Sequence, residues 1–179
     1  MRSALKIAAM LLAVTAQMDA QERTMPQAAH VTRTATIHLN GPIEHVFPLF
    51  EPVGEARWVA GWQPRFLWPA DGKAQVGTTF TTDERGRESY WMVAEYEPGR
   101  RVVYSHLVPG SRAGRIEVRC VSAPEGKTAA GVRYDLTALG PVEEDRLLRM
   151  SDDDFRSWIG EWETAINGVL AGDSPVHHH

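Results

Sequence analysis

The sequence predicts an α+β domain: one curved antiparallel sheet of about seven strands, covered by a single long helix at the C-terminal end. Two observations carry this. Strand-like runs follow one another from residue 66 to residue 139 with only short glycine-bearing turns between them, and sequential strands joined that way pair antiparallel. After them comes one uninterrupted amphipathic run, SDDDFRSWIGEWETAINGVLAG. A sheet with one dry face needs a cover, and no other segment is long enough to provide it.

The first strand is VTRTATIHL, Val31 to Leu39, where alternation puts Ala35, Ile37 and Leu39 on one face. Asn40-Gly41-Pro42 ends it. Pro42 suits the first turn of a helix, and Ile43, Val46, Phe47 and Phe50 follow at helical spacing until Pro48 cuts that helix short. EPVGEARWV continues as a second short helix or turn. The meander consists of FLW (66 to 68), TTFTTD (78 to 83), ESYWMVAEYE (88 to 97), RVVYSHLV (101 to 108), GRIEVRCV (114 to 121) and AGVRYDLTAL (130 to 139). DGK, ERGR, EPGR, PGSRAG and APEGK separate the strands. LGPVEEDRLLRM is a connector with some helical character. The terminal helix then opens at Ser151, which forms a variant capping box with Asp154, and Gly172 closes it. Its apolar stripe is Phe155, Trp158, Ile159, Trp162, Ala165, Ile166, Val169 and Leu170.

The chain of 179 residues has the size of one domain, and its 43% hydrophobic and 23% charged residues mark a globular fold. A formal charge of −4, with basic residues scattered, offers no field for a phosphate backbone, so no nucleic acid is expected as partner. The single cysteine, Cys120, excludes an internal disulfide and reads as a small buried hydrophobe. Residues 1–24 read as a signal peptide and short linker: Arg2 and Lys6, an apolar run from Ile7 to Val14, then small residues that suit cleavage after Ala16. That run is too short for a membrane span, so the mature chain is expected to carry no integral membrane segment and to be periplasmic or secreted. If Met25 is the true start, the protein is cytoplasmic. The domain then occupies 25–172, and 173–179, ending in His177 to His179, forms a disordered tail.

In their order and spacing, TIHLNGPIEHVFPLF, AGWQPRFLWP followed by VGTTF, YWMVAEYEPGRRVVY, PGSRAGRIEV, and RYDLTALG leading to WIGEWETAINGVL resemble the SRPBCC (START-like, Bet v-like) superfamily. The likeness is to its polyketide cyclase/dehydrase and lipid-transport branch and covers Val31 to Leu170. It implies a helix-grip fold with a deep apolar cavity between sheet and long helix. The function it implies is binding of a hydrophobic, aromatic or polyketide- or lipid-like small molecule there. It also allows a cofactor-independent cyclase/dehydrase, or a protein-interaction module similar to chaperone-activating relatives.

Three tryptophans of the chain's six lie in RWVAGWQPRFLWP, Arg57 to Pro69, which Gly61, Pro64 and Pro69 interrupt too often for one regular element. Trp58, Trp62, Phe66 and Trp68 are therefore expected at the entrance and along one wall of the cavity. Phe80, Trp91, Tyr134, Phe155, Trp158 and Trp162 are expected as further ligand-binding aromatics, since an aromatic ring gives a pocket a flat apolar wall and Tyr and Trp add a polar handle. Pairing across the Pro98-Gly99 turn would set Glu95 opposite Val102, Val93 opposite Tyr104 and Trp91 opposite His106. In that register His106, Tyr104 and Glu95 share a face with Trp91, a set suited to general acid–base catalysis. The competing reading makes that face a solvated patch and turns Met92, Ala94, Val103 and Leu107 inward. Glu117, Arg119, Arg133 and Asp135 read as an exposed ion-pair ladder. His30, His38 and His45 lack ligand spacing, and no phosphate loop, dinucleotide fingerprint or hydrolase elbow occurs, so no metal and no cofactor is expected. The expected assembly is a monomer or homodimer.

Overall fold

The computed structural model describes residues 27–172; the proposed leader and the His177 to His179 tail lie outside them. β1 (His30–Leu39) leads into a short helix, α1 (Ile43–Val46), and two 3-10 turns at Phe47–Phe50 and Gly54–Arg57. Six strands follow: β2 (Arg65–Trp68), β3 (Thr79–Glu84), β4 (Arg87–Glu97), β5 (Arg101–Val108), β6 (Arg112–Ala123) and β7 (Lys127–Ala138). Two helices end the chain, α2 (Pro141–Arg149) and α3 (Asp152–Ala171). The connector LGPVEEDRLLRM is thus mostly a true helix, with Pro141 in its first turn.

All seven strands form one antiparallel sheet in the order β1-β7-β6-β5-β4-β3-β2. β7 returns beside β1, and the rest is a plain meander. Alternation sorts the residues: Trp91, His106, Gly114 and Leu136 stand in register across four strands, as do Val93, Tyr104, Ile116 and Tyr134, all on the inner face. Gly114 has no room for a side chain, because a Cβ there would lie 2.1 Å from the Asp135 carbonyl oxygen.

α3 begins as the sequence predicts, with Ser151 Oγ accepting from the Asp154 N–H and Asp154 accepting from the Ser151 N–H, and ends on Gly172 at a φ of 89°. Phe155, Ile159 and Ile166 are its fully buried stripe, and they join Ile37, Leu39, Phe47, Phe50, Val93 and Val132 in the main core. The same helix also ties down the free edge of β1. Glu163 accepts from the His38 N–H at 2.8 Å, and Asn167 bonds both the Asn40 N–H and the His38 carbonyl. An edge strand otherwise presents unpaired backbone groups that invite association with another chain.

Candidate functional site

A cavity of about 680 Å³ opens between sheet and α3, within the range of roughly 300–1,000 Å³ typical of small-molecule pockets. Its floor is the inner face of β4 to β7, its roof the Trp158, Trp162 and Ala165 side of α3, and its side wall residues 55 and 58–62. One end is closed by the β3–β4 hairpin and Arg112.

The tryptophans are arranged for this. Trp58 packs on Trp162 with ring centroids 5.1 Å apart, and Trp62 meets Trp91 edge-on at 5.5 Å. Trp158 packs against both Tyr134 and Trp162. The N–H groups of Trp58 and Trp62 donate to the Leu49 and Pro52 carbonyls, each at 2.7 Å, and that of Trp91 is shared between Thr82 and Ser89. With those donors satisfied by protein, the three rings contribute mainly apolar surface. Gly61, at a φ of 75° with open space around it, supplies the bend that returns the chain over the opening.

Of the aromatic residues expected to bind ligand, Trp58, Trp62, Trp91, Tyr134, Trp158 and Trp162 line the cavity. The others do not. Phe80 is fully buried behind the wall, stacked parallel to Trp91, and Phe66 packs on Phe80 from the next strand out. Phe155 is core beneath Tyr134 and Trp158. Trp68 is 53% exposed on edge strand β2, where the segment has already left the opening.

The expected hairpin register holds for Trp91 with His106 and Val93 with Tyr104, then breaks at a β-bulge on Ala94. The extra residue places Glu95 opposite Val103 and turns it to the outer face, so the expectation that Glu95 joins His106 and Tyr104 is corrected. Out there it accepts from Arg115 and Arg101, each at 2.5 Å, which hold its carboxyl below the ordinary value. Arg133, Asp135, Glu117 and Arg119 continue this outer ladder. Tyr96 takes the inward position instead and bonds Glu51. The alternative face is corrected too: Met92 and Leu107 are exposed on the outer side.

Tyr104 and His106 do face the cavity, in different states. The Tyr104 hydroxyl donates to the Phe50 carbonyl at 2.7 Å, so its proton is committed to holding the short-helix segment on the sheet. His106 is 4% exposed and stacks on Trp91 with centroids 3.9 Å apart. Neither ring nitrogen has a partner among the described residues. Burial, aided by the nearby Arg112 charge, pushes its pKa down to about 4 against a weaker opposing pull from Glu84. The imidazole is therefore neutral at pH 7.

Three charged groups complete the site. Arg112 grips both oxygens of Glu84, at 2.5 and 2.7 Å, and Glu84 Oε2 lies 4.0 Å from His106 Nε2. At the side wall stands Glu55, on the 3-10 turn that Gly54 makes possible; a Cβ on Gly54 would overlap the Pro48 carbonyl oxygen at 1.8 Å. Glu55 lines the cavity half-buried, and its side chain has no ion pair or hydrogen bond among the described residues. Burial alone pushes its carboxyl well above the ordinary range. The sequence carries no signal for any of the three: Glu84 and Arg112 meet only through strand stacking, and Glu55 reads as an ordinary acid on a surface turn.

No family model and no curated protein matches this chain. Solved structures do. CalU16 from Micromonospora echinospora matches with a TM-score of 0.56 at 17% identity, over 84% of this chain and 85% of its own. The Zhui aromatase/cyclase from Streptomyces sp. R1128 gives 0.57 at 16%, over 80% and 94%. Truncated norcoclaurine synthase from Thalictrum flavum gives 0.60 at 8%, over 87% and 99%. The fold is a helix-grip fold, shared with these structures. At such identities the likeness speaks for the backbone, and the chemistry of this helix-grip cavity has to come from its own side chains.

Proposed function

We propose that this helix-grip protein binds a flat, hydrophobic, aromatic small molecule, of the size and shape that aromatic polyketides have, between its sheet and α3. The observation that carries the reading is the cavity itself: five of the chain's six tryptophans line one space of about 680 Å³. Burying roughly 300 Å² of apolar ligand surface at ~25 cal/mol per Å² contributes about 7 kcal/mol before the entropy of association is subtracted. No charged anchor is required. An open cavity also favours a ligand-binding role over a protein-interaction module, which would have no use for the space.

Native mass spectrometry of the purified protein, followed by organic extraction, tests this. The expected result is a bound mass of a few hundred daltons that transfers to the organic phase. An empty protein whose tryptophan emission is unmoved by a panel of polycyclic aromatics would sink the proposal.

A second reading, a cyclase/dehydrase-type enzyme, is favoured by one observation, the unpartnered nitrogens of His106. With a pKa near 4 that imidazole is a neutral hydrogen-bond partner at pH 7 and a poor proton carrier, which supports binding ahead of catalysis. In the enzyme reading, His106→Ala abolishes turnover at unchanged ligand affinity; in the binding reading, affinity for a hydroxylated ligand falls about five- to tenfold, as the loss of one hydrogen bond requires.

A further inference from the structure

The cavity's charges are unbalanced, and the imbalance has a direction. Its only buried cation, Arg112, is already taken by Glu84. Against that closed pair, Glu55 stands half-buried in the side wall with no ion pair, and the exposed Asp83 and Glu161 line the cavity, also without ion pairs among the described residues. Arg85 is as exposed as Asp83 and Glu161 and offsets one of them, which leaves the lining net negative. An anionic guest such as a fatty acid carboxylate would therefore meet net negative charge and no free guanidinium or ammonium inside. A cation would meet the opposite: an unpartnered carboxyl, together with indole faces whose π-clouds attract positive charge. Trp58 and Trp162, 5.1 Å apart and tilted by 57°, form part of the same enclosure.

Building on the aromatic-ligand reading above, we propose that the guest is an aromatic cation, an amine or quaternary ammonium on an aryl frame, whose charge is neutralised by the Glu55 carboxylate and held against the cavity's indole faces.

The carboxyl's surroundings fix the pH dependence. Tyr104 and Tyr134 face Glu55 from the sheet, Glu161 comes from α3, and Glu51, earlier on its own segment, is occupied by Tyr96. Arg112 also lines the cavity, but its guanidinium is engaged by Glu84. None of these groups is a free cation, so the empty site keeps Glu55 protonated to an unusually high pH. Binding a permanent cation then expels that proton, and affinity rises with pH until Glu55 is ionised without help.

The test compares benzyltrimethylammonium with neopentylbenzene, its uncharged carbon isostere, by tryptophan fluorescence titration across pH 5 to 9. The cation is expected to bind at least about tenfold more tightly near neutral pH. That preference should grow with pH and be accompanied by proton release in calorimetry. In Glu55→Gln the pH dependence and the proton release should disappear, and the preference should fall to the roughly two- to fivefold that the indole faces supply alone. Equal binding of the two probes, or tighter binding of the isostere, overturns the cation proposal and leaves the aromatic-ligand reading standing. If neither probe shifts the fluorescence, both readings fall. A cation preference and pH dependence that both survive undiminished in Glu55→Gln remove Glu55 from the role and overturn the proposal as stated.

Discussion

His106 shows how one side chain's surroundings reverse its expected part. A histidine beside a tyrosine on a central hairpin suggests acid–base work, yet burial against Trp91 makes it a neutral group with neither ring nitrogen partnered among the described residues. The sign of its effect on stability follows. Its folded pKa near 4 lies below the ordinary 6.5 of a histidine, so the unfolded chain binds the proton more readily. Stability tied to His106 is complete above about pH 6.5 and is lost as pH falls from there toward 4. The full effect is about 3 kcal/mol, at 1.36 kcal/mol per pKa unit. His106→Phe keeps a ring stacked on Trp91 and removes the titration. Urea unfolding at a series of pH values should then show a shallower fall in stability over that window, and identical slopes in both proteins would contradict the assignment.

Glu95 makes the opposite point. Its residue type suited a site, but the Ala94 bulge gave it to the outer ladder. Glu95→Gln is expected to leave ligand affinity within twofold of wild type, measured by fluorescence titration, with at most a small stability change because exposed ion pairs contribute little. A tenfold loss of affinity would return Glu95 to the cavity.

The turn at Gly54–Arg57 matters out of proportion to its length. It carries Glu55 into the wall, and Trp58, the residue after it, packs on α3. Gly54 sits too close to the Pro48 carbonyl for any side chain. Gly54→Ala must therefore displace the turn, costing about 1–3 kcal/mol in urea unfolding and weakening ligand binding as well. A variant with wild-type stability and affinity would show that the turn is not held this tightly. The terminal helix is the contrasting case, since its start, its end and its apolar stripe could all be read from SDDDFRSWIGEWETAINGVLAG by local rules of capping and 3.6-residue periodicity. The meander was equally legible, because alternation and glycine turns are local signals. The bulge was not, since nothing near Ala94 in the sequence announces an extra residue in the ladder.

The whole molecule is a sheet that curls over one helix and leaves space between them, and that space governs its expected behaviour. A ligand that binds the folded state alone stabilises it by about 2.7 kcal/mol at a hundredfold excess over Kd. An aromatic guest should therefore raise the melting temperature and quench most of the tryptophan emission at once, because Trp68 alone among the six indoles lies outside the cavity. Thermal unfolding followed by fluorescence in the presence of the guest checks both. A melting temperature that rises without quenching would place the ligand somewhere else.

What the sequence determined by itself was the list of elements and their faces, because hydrophobic period, caps and turns depend on neighbours within a few residues. It also supplied the aromatic material, six tryptophans placed where a wall could use them. The tertiary structure decided which of them enclose the space: Trp58 and Trp62 turn in, while Trp68 is left on the edge. It alone brought Glu84 to Arg112 across 28 positions, and left Glu55 in the cavity wall without a counter-charge. The physical reason is that charge environment is a property of three-dimensional neighbours and of the water they exclude, and neither is written in any short stretch of the chain.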